Sequence, residues 1–178
     1  GSMSPISGPL NRLNVIEVQY QGARPAAPDR WAFEAYRRSG AYQAAGAPLQ
    51  VVRPLVPESA LTLDAPTNMG LIGGAIADAV AEGSGRRLVY APPAILMVGG
   101  NCNHATGVLG GLQDIYGAAA RIGLVWFDAH GDFNTPQTTL TGSLGGMPVA
   151  VCAGLCFPAW REGSHILAPL PADRIVLC

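Results

Sequence analysis

The chain has 178 residues, which is enough for one domain with a sizeable core and too few for two ordinary domains. Its formal net charge of -1 provides no positive field for nucleic acid or an anionic membrane, so we expect neither as a partner. Charged residues make up 13% of the chain, roughly half the usual share of about 25%. With so few charged residues, we expect the apolar surface to be covered by contacts between subunits, by a segment outside this sequence, or by both.

Residues 1–3 resemble the remnant of a cleaved tag and a start methionine, and we predict that residues 4–178 form a single domain. No secretory signal follows Met3, so the four cysteines predict free thiols in a reducing compartment, and we expect a cytoplasmic protein. These cysteines are Cys102, Cys152, Cys156 and Cys178. The spacing of four residues between Cys152 and Cys156 predicts that both lie on one helix face.

Apolar runs that are typical of strands alternate with stretches of helical character along the chain. The predicted strands cover residues 13–20, 49–53, 94–98, 122–127 and 174–178. The predicted helices cover residues 30–45, 68–82, 105–120 and 144–155, with Asp29 and Asn103 as N-caps of the first and third. This alternation predicts an α/β fold, an open sandwich whose parallel sheet is covered on both faces. Because the chain ends within an apolar strand, we expect the domain to be incomplete at its C-terminus.

Three metal-capable side chains, Asp128, His130 and Asp132, follow the predicted strand at 122–127. In an extended chain, side chains two residues apart point the same way, so these three can converge on one point. Carboxylate oxygens with an imidazole nitrogen suit Mn, Zn or Fe. An Asp-x-His pair alone is also common in turns, but the third acid in register and the preceding strand favour a metal site. In parallel-sheet folds ligands lie beyond the carboxyl ends of strands, where the loop 99–104 also falls.

Residues 128–136 read Asp-Ala-His-Gly-Asp-Phe-Asn-Thr-Pro and closely resemble the signature of the ureohydrolase family of arginases, agmatinases and formiminoglutamases. The resemblance extends through residues 138–148, and residues 98–102 stand where the family has a Gly-Gly-Asp-His motif. It implies a three-layer α/β/α sandwich in a homo-oligomer. It also implies a hydrolase of linear guanidine or amidine C–N bonds, in which metal-bound hydroxide at a two-manganese centre attacks the substrate.

The resemblance assigns the metal ligands and the catalytic residues by position. Asp128 would bridge both ions, His130 would bind one, and Asp132 would bind the other and accept the proton, so His130 and Asp132 are the predicted catalytic residues. Cys102 stands at the upstream metal ligand of the family. Asn134 and Thr141 would face the non-reacting end of the substrate, and Ser143 would add another polar contact.

Three departures from the family pattern define the alternatives. Cys102 replaces a histidine ligand with a thiol, which suits Zn or Fe better than Mn and leaves His104 as another candidate ligand. A cysteine at a helix N-terminus tends to have a lowered pKa, so Cys102 is also a candidate nucleophile. Gly145 stands at a family histidine, and the later Asp-x-Asp ligands have no counterpart. A catalytically impaired or regulatory protein of the same fold is therefore the alternative to an enzyme.

Overall fold

The computed structural model describes residues 12–84 and 94–178, so the predicted tag remnant lies outside the described residues. The strands are β1 (Leu13–Val18), β2 (Tyr20–Gln21), β3 (Arg24–Pro25), β4 (Leu49–Val52), β5 (Ala94–Gly99), β6 (Leu124–Trp126) and β7 (Ile175–Leu177). The helices are α1 (Phe33–Arg38), α2 (Ala41–Ala44), α3 (Ala65–Ser84), α4 (Ala105–Tyr116), α5 (Pro148–Cys152) and α6 (Pro158–Gly163). Short β2 and β3 pair antiparallel, and every other strand pairing among the described residues is parallel.

The central sheet has the strand order β4-β1-β5. All six residues of β1 are buried, as expected for a strand covered on both faces. Helices α1 and α2 cover one face, where Phe33 and Tyr42 pack beside Val15. Helices α3 and α4 cover the other face, where Ile72 packs against Ile16. These layers confirm the predicted α/β/α sandwich.

Strands β6 and β7 form a second parallel sheet, in which Leu124 pairs with Ile175. The inner face of this sheet packs on a buried cluster that includes Leu109 of α4 and Ile166. Within the described residues β5 and β6 do not pair, so the parallel strands form two sheets rather than one. Helix α4 connects β5 to β6 along the chain.

Three predictions about the helices are wrong in detail. The predicted helix at 30–45 is divided into α1 and α2, because Gly40 between them adopts a left-handed backbone with φ of 79°. Asp29 lies inside a short 3-10 turn and is not an N-cap. Asn103 does not cap α4 either, since the cap of the preceding 3-10 turn is Asn101, which forms a capping box with His104.

The predicted helix at 144–155 is shorter than expected. It consists of a 3-10 turn, Leu144–Gly146, followed by α5, which ends at Cys152 two residues before the left-handed Gly154. Cys156 therefore lies beyond the helix and packs in a different cluster from Cys152, so the predicted shared helix face is wrong. All four cysteines are free thiols, as predicted.

Helices α3 and α4 approach each other closely because small residues line their contact. A Cβ atom built on Gly107 would lie 2.6 Å from the carbonyl oxygen of Gly73, and one on Gly110 would overlap the carbonyl of Ser164. The contact of Gly110 with Ser164 places the end of α6 against the middle of α4. No helix of the described chain is both long enough and apolar enough to cross a membrane.

Candidate metal centre

The carboxyl end of β5 turns sharply at Gly99 and Gly100, whose φ angles are 75° and 67°. Only glycine adopts such angles at little cost. A Cβ atom on Gly100 would also lie 2.5 Å from Nδ1 of His104, so the position is crowded as well as left-handed. This turn brings Cys102 to the carboxyl end of the strand.

Hydrogen bonds to buried groups hold the 3-10 turn Cys102–His104 in place. The backbone amide of Asn101 donates to Nδ1 of His104 at 3.0 Å. Nε2 of His104 lies 2.9 Å from the carbonyl oxygen of Gly22. The hydroxyl of Thr106 donates to the carbonyl of Asn103 and accepts from the indole N–H of Trp160 at 3.1 Å. Hydrogen bonds among six residues from three parts of the chain thus fix this turn.

His104 is not available as a metal ligand. Its side chain is 1% exposed, and both ring nitrogens already have backbone partners. Burial lowers the pKa of His104, which favours the neutral ring with its proton on Nε2, where it can donate to Gly22. The alternative hypothesis that His104 is a metal ligand is therefore wrong.

The carboxyl end of β6 delivers Asp128 and Asp132 through a turn. The backbone amide of His130 donates to Oδ1 of Asp128 at 2.9 Å, and Asp132 adopts a left-handed backbone with φ of 46°. The carbonyl oxygen of Asp132 accepts a hydrogen bond of 3.0 Å from the amide of Val149, at the start of α5. The two acids converge as predicted. However, the prediction that an extended backbone brings them together is wrong, because the segment forms a turn.

Three predicted ligands form one cluster. Sulfur of Cys102 and carboxylate oxygens of Asp128 and Asp132 all lie within 4.8 Å of one another. The thiol of Cys102 donates to Oδ2 of Asp128 at 3.5 Å. His130 lies at the rim, with its side chain 82% exposed and Nδ1 3.5 Å from Oδ1 of Asp128. The described residues thus bring together three of the four predicted ligands and leave the fourth beside them.

The thiol and the two acids of this cluster have shifted pKa values, in different directions. Burial raises the pKa of Cys102 to about 11, with further contributions from Asp128 and Asp132. Burial also raises the pKa of Asp132, and the charge of Asp128 adds to this. The backbone N–H of His130 lowers the pKa of Asp128. The expected lowering of the Cys102 pKa is wrong, and a thiol with so high a pKa does not favour the nucleophile hypothesis.

A cleft of about 530 Å³ lies beside the acids, and Asp132 and His130 are among its lining residues. The predicted substrate residues Asn134, Thr141 and Ser143 line the same cleft. All three are exposed. The structure therefore groups the residues predicted for substrate contact around one space that adjoins the candidate metal ligands.

A second group of possible ligands was not predicted from sequence. It consists of Asp78 on α3, Asp114 on α4 and His165 after α6, and Nδ1 of His165 lies 2.6 Å from Oδ2 of Asp114. These residues are far apart along the chain, so no local motif indicates their proximity. The contact ties the segment after α6 to α4.

Parallel strands that deliver two carboxylates and a thiol to one point define an α/β protein with a candidate metal site at its strand ends. Residues 56–166 match the model of the family described as the arginase family, and the chain belongs to that family. This confirms the resemblance seen in the sequence.

The similarity extends to individual relatives and to solved structures. The chain is 35% identical over 82 residues to an arginase of Bacillus caldovelox, a match that covers 46% of this chain and 26% of that protein. It is 42% identical over 60 residues to an arginase of Bacillus subtilis, a match that covers 34% of this chain and 19% of that protein. The solved arginase of Entamoeba histolytica, in complex with L-ornithine, superposes with a TM-score of 0.71 at 21% identity, over 94% of this chain and 57% of that one. The solved arginase of Bacillus caldovelox superposes with a TM-score of 0.71 at 23% identity, again over 94% of this chain and 57% of that one. The chain thus spans just over half the length of these solved proteins.

Proposed function

We propose that the intact protein is a metal-dependent hydrolase that cleaves a C–N bond in a linear guanidine or amidine. One observation carries this proposal: the three clustered ligand atoms of Cys102, Asp128 and Asp132 adjoin a cleft lined by the predicted substrate residues. Membership of the arginase family supports the same reaction class.

The donor atoms fit divalent transition-metal ions. Asp128, Asp132 and Cys102 would hold one ion, and Asp128 with His130 would contribute to the second ion of the pair that the resemblance implies. The carboxylate oxygens and the imidazole suit manganese, whereas the thiol does not suit it well. When bound, the ions would acidify a water molecule and stabilise the charge that develops in the transition state.

Asp132 is the proposed proton acceptor. It is 8% exposed, it lines the cleft, and burial raises its pKa, so its carboxylate holds a proton more readily than an exposed acid does. Asp128 keeps its charge because the backbone N–H of His130 donates to it. Two neighbouring carboxylates in different environments can in this way take different roles.

Hydrogen-bond donors at the rim favour a substrate with a carboxylate at its non-reacting end. The Asn134 side-chain oxygen accepts from Thr138 at 3.1 Å, which directs the amide N–H groups elsewhere. The hydroxyl oxygens of Thr141 and Ser143 accept from the backbone amides of Ser143 and Gly145, so their O–H groups can still donate. We therefore propose guanidino or formimino acids as substrates before an amine such as agmatine.

The remaining features of the proposal come from composition and family. We propose that the protein is a cytoplasmic homo-oligomer whose partner is this small molecule, with no role for nucleic acid or a membrane. The alternative is a catalytically impaired or regulatory member of the family, and Gly145 favours it, because a glycine lines the cleft where the family has a histidine.

The test measures urea or ammonia release by the full-length protein, loaded with Mn²⁺ or Zn²⁺, on arginine, guanidinobutyrate, formiminoglutamate and agmatine. We expect turnover on at least one acid, and a loss of at least a hundredfold in Asp128→Asn but not in the matched control Asp29→Asn, which alters an exposed acid in the turn Pro28–Arg30. No release on any member of the panel would refute the proposal. Release that begins only when Gly145 is replaced by histidine would establish the alternative.

A further inference from the structure

The cluster at the strand ends has an unusual set of donor atoms. Asp128 and Asp132 supply hard oxygen ligands, and Cys102 supplies a soft sulfur ligand. Thiolate ligands select thiophilic ions such as Zn²⁺, while carboxylate and water suit Mn²⁺ and Mg²⁺. The side chain of Cys102 therefore distinguishes this set of ligands from one that would suit Mn²⁺ or Mg²⁺.

The geometry suits direct ligation by sulfur. Zinc in proteins lies about 2.3 Å from sulfur and about 2.1 Å from carboxylate oxygen, so a tetrahedral ion separates these two ligands by about 3.6 Å. Sulfur of Cys102 lies 3.5 Å from Oδ2 of Asp128. An ion could thus join these atoms with little movement of either residue.

The side chain of Cys102 does not hold its turn together. The hydrogen bonds that fix the turn come from Asn101, His104 and the backbone of Asn103, whereas the described hydrogen bond of the thiol goes to Asp128. The residue Cys102 is exposed, although the two carboxylates beside its thiol shield the sulfur in part. The thiol is therefore free to ligate, and its replacement leaves the turn intact.

We propose that Cys102 sets the metal selectivity of this half of the centre, so that the Cys102–Asp128–Asp132 position takes a thiophilic divalent ion of the Zn²⁺ or Co²⁺ type in preference to Mn²⁺. This inference rests on the proposed function only in taking the cluster to be a metal site. It concerns which ion binds there, and it does not depend on turnover.

The experiment uses metal-free full-length protein titrated with Co²⁺ and followed by its absorption spectrum. We expect a near-ultraviolet sulfur-to-cobalt charge-transfer band in the wild type and in the control Cys156→Ser, which removes a thiol from a separate cluster. The band should be lost in Cys102→Ser and Cys102→His. In competition, Cys102→His should reduce the ratio of Zn²⁺ to Mn²⁺ affinity at least tenfold, because imidazole is a harder ligand than thiolate.

The outcomes separate this inference from the proposed function. Absence of the band in the wild type, or an unchanged affinity ratio in Cys102→His, overturns the inference even if the protein turns over substrate with Mn²⁺. A band that depends on Cys102, in a protein that releases neither urea nor ammonia, upholds the inference and refutes the proposed function. Circular dichroism of each variant shows that it is folded before its spectrum is compared.

Discussion

The two strand ends that form the candidate metal centre are built in opposite ways. The end of β5 is fixed from within: His104 and Thr106 are buried, and Trp160 of α6 is fully buried against the same turn. The end of β6 is largely open, since Asn134 and His130 are exposed and are held by turn hydrogen bonds. Substitutions at the first end should therefore cost stability, and those at the second should cost ligand binding.

Trp160→Ala should have the largest effect. The side chain is 0% exposed and donates to Thr106, so its removal leaves a cavity and takes one hydrogen bond from the Thr106 hydroxyl, at an expected cost of about 3–5 kcal/mol in the free energy of unfolding. Urea denaturation measures this cost. Trp31→Ala is the control, because Trp31 is 39% exposed, and it should cost less than about 1 kcal/mol. Equal losses in the two variants would show that the burial of Trp160 against the turn after β5 adds no stability.

Two glycines with similar backbone angles compare the turn after β5 with the long loop that follows β6. Gly100 has φ of 67° and a crowded Cβ position, whereas Gly142 has φ of 72° and no atom within 4 Å of its Cβ position. Gly142→Ala should cost about 1 kcal/mol for backbone strain alone. Gly100→Ala should cost about 2 kcal/mol or more, because it also displaces His104 or Val18. Thermal unfolding of the two variants measures the difference, and a Gly142→Ala variant as unstable as Gly100→Ala would show that crowding has no effect.

The burial of His104 makes stability depend on pH. Its pKa in the folded protein lies below the unfolded value of about 6.5, so the unfolded chain binds the extra proton. The stabilising contribution is therefore present above that value and is lost as the pH falls through the folded pKa, with a slope of at most about 1.4 kcal/mol per pH unit. Urea denaturation between pH 7.5 and 5 measures the slope, and His104→Gln should flatten it. An unchanged slope in that variant would assign the dependence to other groups.

The smallest effect concerns the reactivity of Cys102 in the metal-free protein. With a pKa of about 11, the thiol is about one part in a thousand ionised at pH 8, so we expect iodoacetamide to react with it roughly tenfold more slowly than with an ordinary thiol. The rate should rise with pH up to about 11. Peptide mass spectrometry measures modification at Cys102, and rapid alkylation at pH 8 would restore the nucleophile hypothesis.

Much of the fold could be predicted because it depends on local patterns. The unbroken apolar run in β1 indicates burial on both faces, and the order of strands and helices indicates an α/β fold. The break between α1 and α2 was missed, because a single Gly40 in a left-handed conformation outweighs the helical propensity of its neighbours. The division into two sheets was missed because pairing between distant strands leaves no local signal.

The candidate site was predictable in its residues but not in its geometry. The spacing of Asp128 and Asp132 indicated convergence, yet a turn with a left-handed Asp132 produces it, rather than an extended strand. The unavailability of His104 depends on its burial and on its contact with Gly22, which is distant along the chain. The raised pKa of Cys102 depends on its burial and on Asp128 and Asp132, which come from another strand end. Sequence spacing cannot supply this information.

A crystal structure of the zinc-loaded full-length protein, with anomalous data collected at the zinc edge, would show directly whether Cys102, Asp128 and Asp132 ligate one ion. We predict an anomalous peak within about 2.3 Å of the sulfur of Cys102 and about 2.1 Å of carboxylate oxygens of Asp128 and Asp132. A peak bound to the carboxylates alone, with Cys102 turned away, or no peak at these strand ends, would contradict the account.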